Sequence, residues 1–243
     1  MSDVRPEDIE ARTRIAVRHF WQTREAQAGK QTSGGQADRG ARSAVTGGAQ
    51  MDGFIDLLAW VIEEAGAPRE SIFRKQAIEL PGFFRPSKQW DLLVVTKGQL
   101  VAALEAKSHI GPSFGNNFNN RTEEAMGSAL DLWTAFREGV FNSSVRPWLG
   151  YLILLEDCAK SQAPLKVAEP HFKALAEFRR ASYARRYELF CGKLVREGHY
   201  SSSCFLTARS DAMDSGAYAE PANDLGIARF VRSLAAHVEG NSP

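Results

Sequence analysis

Asp91, Glu105 and Lys107 place two carboxylates and one ammonium within the short segment KQWDLLVVTKGQLVAALEAKS. That is the donor set required for metal-assisted attack of water on a phosphodiester. The apolar runs Leu92 to Val95 and Leu100 to Leu104 read as two short strands, with Lys97-Gly98 as the tight turn between them. Such a hairpin carries Asp91 to within about one register step of Glu105 on the adjacent strand. Glu105 and Lys107 are two residues apart, so their side chains leave one face of that strand. Carboxylates crowded together on an apolar sheet repel and lose hydration, a cost that a divalent cation between them offsets. The alternative is an ordinary sheet edge at which Asp91 opens a strand and Glu105 pairs with a lysine. Leu100-Val101-Ala102-Ala103-Leu104 speaks against it, because a strand apolar on both faces is a central one, and a charge at its end needs a partner or a metal.

Downstream, SHIGPSFGNNFNNRTEEAMGSALDLW holds Asn116, Asn117, Asn119 and Asn120 within five positions, followed by Arg121. Amides offer a donor and an acceptor together, as an adenine edge requires, and Arg121 offers the fork suited to guanine or phosphate. Gly111, Pro112 and Gly115 predict a loop here. Asn120 and Glu123 have the spacing of a capping box, opening a helix with the apolar stripe Ala125, Met126, Ala129, Leu132, Trp133 and Phe136. Capping accounts for Asn120 but not for Asn116, Asn117 and Asn119, which are either solvated turn residues or base readers. Arg179, Arg180, Arg185 and Arg186 form the clearest basic cluster, readable as a solvated helix face or as a DNA contact, with Arg185 and Arg186 the candidates.

The run EAKSHIGPSFGNNFNNRTEEAMGSALDLWTAFREG, with FFRPSKQWDLLV before it and RPWLGYLILLEDCAKS after it, closely resembles the XhoI-type type II restriction endonucleases, which cut CTCGAG. The likeness extends into EPHFKALAEFRRASYARRYELFCGKLV and back to GARSAVTGGAQMDGF, so it spans most of the chain. It implies the PD-(D/E)xK nuclease superfamily, with Asp91, Glu105 and Lys107 as catalytic residues. It also implies Mg2+ as cofactor, held by Asp91, Glu105 and the backbone carbonyl of Ala106, with Asp52 or Glu79 as an accessory ligand. Asp52 is equally placed to be a helix N-cap. Trp90 stands where the superfamily's name has a proline, a position without chemistry of its own. The partners implied are duplex DNA containing CTCGAG, a second copy of the chain to match the palindrome, and a cognate methyltransferase protecting host DNA. A sequence-specific DNA-binding module without cleavage is the rival reading, and an interaction domain with an incidental acidic pair a more distant one.

Composition agrees without pointing there. The chain has 243 residues, with 30 basic against 29 acidic side chains, so no global polycation announces nucleic acid; a basic face and an acidic cleft can cancel. Three cysteines, Cys158, Cys191 and Cys204, show no metal-binding spacing and fit a reducing, cytoplasmic setting. No apolar run approaches the roughly 18 residues of a membrane span, and the start MSDVRPEDIEARTR is too charged for a signal peptide.

The elements that must position the site read as follows. A helix from Pro6 to Gln27 gives way to a stretch from Gly29 to Gln50 with six glycines, a linker or a loop that orders on DNA. A helix follows over Asp52 to Ala65, then a strand over Ser71 to Leu80, the triad hairpin, the Asn120 helix and a central strand Trp148 to Leu155. Glu156 to Phe172 reads as a polar loop, Ser182 to Glu197 as a helix, Cys204 to Thr207 as a short strand, Ser210 to Asp224 as irregular, and Leu225 to Val238 as a closing amphipathic helix. The expected architecture is α/β: one restriction-endonuclease-like α/β/α core with a central mixed β-sheet. As a single nuclease domain it divides into an N-terminal helix (1–28), the glycine-rich segment (29–50), a catalytic core (51–209) and a C-terminal helix (225–239).

Overall fold

The computed structural model describes residues 4–33, 48–142 and 145–241. Helix α1 (Pro6–Ser33) runs further than its apolar spacing predicts, and most of the glycine-rich segment, residues 34–47, lies outside the described residues. Helix α2 (Asp52–Glu64) buries Phe54, Leu57, Leu58, Val61 and Ile62 along one stripe and stops at Gly66, whose φ of 91° closes the helix. The two helices touch at Gly53, where a Cβ would stand 2.8 Å from the Ala16 backbone.

The strand expected over Ser71 to Leu80 divides into β1 (Ile72–Phe73) and β2 (Glu79–Pro81). Lys75 and Ala77 between them take left-handed φ values of 67° and 54°, which no strand accommodates. Strand β2 leaves the main sheet to pair with β3 (Ser87–Gln89) as a separate antiparallel ribbon. Strands β4 (Leu92–Thr96) and β5 (Gln99–His109) form the expected hairpin. Lys97 and Gly98, at φ 52° and 75°, make the left-handed pair that a two-residue hairpin turn demands.

Helix α3 (Phe114–Arg137), strand β6 (Trp148–Glu156), the single turn α4 (Ala159–Gln162), helix α5 (Tyr183–Arg196), strand β7 (Ser202–Ala208) and helix α6 (Ile227–Asn241) complete the order. The main sheet runs β1-β4-β5-β6-β7, antiparallel up to β5 and parallel from β5 to β7. Helical crossovers make the parallel pairs. Alternate residues divide the core: Ala102, Leu104, Leu152, Leu154 and Leu206 pack under α1, α2 and α6, while Ala103, Leu149, Tyr151, Ile153 and Phe205 pack under α3 and α5. The mixed sheet between two helical layers is the expected α/β/α architecture. Parity puts Glu105 and Lys107 on the α3–α5 side.

Two expectations fail near the asparagines. Helix α3 begins at Phe114, not Asn120, and Ser113 holds the cap position, so Asn120 forms no capping box. The cause is Phe114, which is buried against His109 and stacks on Tyr183 of α5 at a centroid separation of 5.5 Å; burying that ring outweighs the helix-weakening Gly115. Met126, expected in the apolar stripe, is exposed, whereas Ala125, Ala129, Leu132 and Trp133 are buried as expected.

Candidate active site

Pairing between β4 and β5 ends near Asp91. Its backbone N–H still donates to the Leu104 carbonyl at 3.1 Å, but the next free donor on β5, Ala106 N–H, turns instead to Asp91 Oδ2 at 2.8 Å. The sheet thus opens beyond Leu104, and the carboxylate of Asp91 occupies the gap. Glu105 projects from the same point into the α3–α5 layer and is 2% exposed. Its Oε1 receives Lys107 Nζ and Lys88 Nζ, each at 3.1 Å, and its Oε2 lies 3.3 Å from the Tyr200 hydroxyl. Lys107 Nζ also stands 3.5 Å from Asp91 Oδ2, so one ammonium bridges the two carboxylates.

Burial alone would raise the carboxyl pKa of Glu105, yet the charges of Lys107 and Lys88 hold it below its ordinary value. Burial likewise works against the charge on Lys107, and the Glu105 and Asp91 carboxylates lift its pKa above the usual lysine value. Both groups are therefore ionised. A cation already sits between Asp91 and Glu105, and the oxygens around it are the hard donors that Mg2+ takes; the donor set fits the metal. Among the described residues no third His, Cys, Asp or Glu converges on them. Glu79 accepts from Gln89 Nε2 at 2.8 Å on the β2–β3 ribbon. Asp52 is not the N-cap of α2: Met51 is, and Asp52 lies in the first turn, paired with Lys75 at 2.9 Å. Asp52 does line a small hollow of about 140 Å³ with Asp91.

On the α3 side, Glu105 and Lys107 open into a cleft of about 660 Å³ that Lys88, Arg85, Arg121 and Asp131 also line. Glu123 and Glu124 line it too, so four basic side chains face four acidic ones, and each cation is paired: Arg85 with Asp131, Lys88 and Lys107 with Glu105, Arg121 with Glu124.

The family model described as "Restriction endonuclease XhoI" matches residues 30–220. The type II restriction enzyme BstVI of Geobacillus stearothermophilus is 54% identical over 86% of this chain and 95% of its own length. AbrI of Azospirillum brasilense is 50% identical over 68% of this chain and 75% of its own, and XhoI of Xanthomonas vasicola 45% over 76% and 75%. The chain belongs to the XhoI family of restriction endonucleases. It is a PD-(D/E)xK-like type II nuclease acting on double-stranded DNA, of a divalent-metal-dependent class. No solved structure matches it. Among the described residues no helix is long and apolar enough to cross a membrane.

In this XhoI-family chain the asparagines occupy the opening turns of α3 rather than a loop. Asn116, Asn119 and Asn120 are exposed and Asn117 half-buried, and an aromatic cluster fixes their helix: Phe118 meets Tyr187 at 5.0 Å and Tyr183 at 6.3 Å. Of these candidates only Arg121 lines the cleft, tied to Glu124 at 2.7 Å. Arg185 pairs with Glu188 and borders a different hollow near β7, while Arg186 donates to the Ala181 carbonyl at 3.2 Å; neither is brought to Glu105.

Sequence reading missed Lys88, Tyr200 and Asp131. Lys88 packs over Trp90 with its ammonium 4.5 Å from the ring centroid. Asp131 accepts the backbone N–H groups of Phe83 and Phe84 and the Nε of Arg85 at 2.7–2.8 Å. Lys88 does fall inside the FFRPSKQWDLLV block that carried the family resemblance.

Proposed function

We propose that this chain hydrolyses both strands of duplex DNA at CTCGAG with Mg2+ as cofactor. The observation that carries the reading is the Lys107 ammonium bridging Asp91 and Glu105 at the open end of the β4–β5 hairpin, in a chain of the XhoI family. Asp91, Glu105 and the Ala106 carbonyl would hold the metal, with Asp52 the better of the two accessory candidates because it shares a hollow with Asp91. A strand residue's N–H and C=O leave by the same edge, so the Ala106 carbonyl faces the edge on which its N–H meets Asp91.

Held there, the metal would supply Lewis acidity toward the scissile phosphate and lower the pKa of a water. Lys107, held cationic by its two carboxylates, positions that water and balances charge building on the phosphorane. Lys88 adds a second positive charge at the same oxygen. Asn116, Asn117, Asn119, Asn120 and Arg121 are the proposed base-reading residues, with Arg185 and Arg186 in reserve as phosphate contacts. Residues 51–209 are proposed as the catalytic core of a single domain, flanked by α1 and α6, and the glycine-rich segment that follows α1 as a linker or DNA-ordered loop.

The palindrome calls for a homodimer, one active site per strand. The setting is the cytoplasm, where a cognate methyltransferase shields host DNA. Incubation of purified protein and Mg2+ with a plasmid carrying one CTCGAG site should give a single linear product. Retardation without cutting, or cutting at other sequences, refutes the assignment. Sedimentation as a monomer, both free and on a CTCGAG duplex, removes the dimer.

A further inference from the structure

The β2–β3 ribbon ends in Gly82-Phe83-Phe84-Arg85-Pro86, and this tip is built unlike an ordinary loop. Phe83 is 51% and Phe84 66% exposed, their rings edge to face at 4.9 Å. Turn tips ordinarily carry polar residues; here two phenylalanines stand in water.

Their backbone is nevertheless fixed from below. Asp131 on α3, 4% exposed, takes Phe83 N–H at 2.7 Å and Phe84 N–H at 2.8 Å on Oδ1, and Arg85 Nε at 2.7 Å on Oδ2. The carboxylate comes so close that a Cβ on Gly82 would meet it at 2.4 Å, so glycine is required there. Committing a buried charge to hold a loop costs desolvation, and what it fixes is the presentation of two apolar rings. Phe84 and Arg85 line the same cleft as Glu105 and Lys107, and Leu130, 51% exposed, extends the apolar rim.

We infer that Phe83 and Phe84 form a rigid wedge that stacks into a base-pair step of the duplex held in the cleft. The inference rests on the reading of this cleft as the DNA-cleaving site. Arg85, Lys88, Lys107 and Arg121 line that cleft, each already on a carboxylate, and the N–H donors those pairs leave over are what a phosphate backbone alongside would meet. The flat, apolar groups a duplex offers beside its phosphates are its base faces, and apolar side chains enter there by partly unstacking a step. A wedge gives specificity beyond hydrogen bonding, because steps that unstack cheaply are favoured.

The test uses duplexes in which 2-aminopurine replaces the adenine of the site or a flanking base, bound in Ca2+ so that no cutting occurs. The site is CTCGAG on the reading above. A wild type that cuts elsewhere defeats that assignment, and the probe then moves to the sequence it does cut. Wild-type binding should raise the fluorescence at one position as the base unstacks. The Phe83→Ala/Phe84→Ala double variant should lose the rise and bind at least about 10-fold more weakly, whereas Phe84→Trp should keep the rise. Both rings are exposed, so their loss leaves the core intact. No rise in the wild-type complex at any position, or an equal rise in the double variant, overturns the wedge. So does a double variant that sediments as a monomer where the wild type is a dimer, since the rings would then belong to a contact between copies.

Discussion

Lys88 Nζ stands 3.1 Å from Glu105 Oε1, the oxygen that Lys107 approaches at the same distance from β5. Two ammoniums on one oxygen of a buried carboxylate are more positive charge than a simple ion pair needs. Only one of them, Lys107, also reaches Asp91. The second is supplied by the β2–β3 ribbon, so the ribbon that carries the phenylalanine tip is also joined electrostatically to the Asp91–Glu105–Lys107 cluster.

A cation entering the site competes with Lys88 for Glu105. The variant Lys88→Met, which keeps the stem against Trp90, should therefore bind Mn2+ or Mg2+ in the absence of DNA at least about 3-fold more tightly. Calorimetric titration measures this directly. Unchanged or weaker binding would show that Lys88 does not oppose the metal.

Asp91→Asn and Glu105→Gln should each lower cleavage by at least about 100-fold while leaving the gel shift in Ca2+ near that of the wild type. Glutamine is the informative replacement at Glu105, since it removes the charge but keeps the volume and an acceptor oxygen for Lys88 and Lys107, which alanine would not. Lys107→Ala should also stop cleavage by misplacing the water. Near-normal turnover in any of these variants removes that residue from its role.

The β4–β5 hairpin was legible because Lys97-Gly98 interrupts two apolar runs, and the run from Trp148 to Leu155 announced a central strand by having no polar face. The break in the strand after Phe73 was not legible, since left-handed Lys75 and Ala77 are residue types that announce nothing. The start of α3 was misread because Gly111, Pro112 and Gly115 weigh locally toward a loop, whereas the burial of Phe114 is a tertiary gain. Lys88, Tyr200 and Asp131 find their partners 17, 95 and 46 residues away, so no local pattern marks them. Asp91 and Glu105, the proposed catalytic carboxylates, stood out because the hairpin that joins them is short.

His109, 1% exposed at the end of β5, lies with its Nδ1 2.7 Å from the Tyr187 hydroxyl. Burial, and then the Arg121 charge, press its pKa from 6.5 down to about 4. Below its ordinary pKa the unfolded chain takes up a proton that the folded chain refuses, so stability is full above that value and declines as pH falls toward 4. This one ring should cost about 2 kcal/mol of stability between pH 7 and pH 5. Urea denaturation at both pH values should show a smaller loss for His109→Gln by roughly that amount, and equal losses would assign the acid sensitivity elsewhere.

Base reading is tested by comparing Asn117→Ala and Arg121→Ala on CTCGAG with the same variants on duplexes carrying one altered pair. Helix α3 carries both residues on a rigid element pinned to α5 by Phe114 and Phe118, so neither truncation should disturb the fold. Arg121 lies in the cleft with one guanidinium nitrogen on Glu124, which leaves other donors of the fork for a base or a phosphate. A lost bidentate base contact costs about 1 to 3 kcal/mol of discrimination at one position. A lost phosphate contact weakens every duplex alike and reduces the salt slope by about 1. Arg121→Ala should therefore flatten the preference at a single base pair, and Asn117→Ala should flatten a different one. If either variant loses the same factor on every duplex with a lowered salt slope, that residue holds the backbone, and sequence must be read from elsewhere on the molecule.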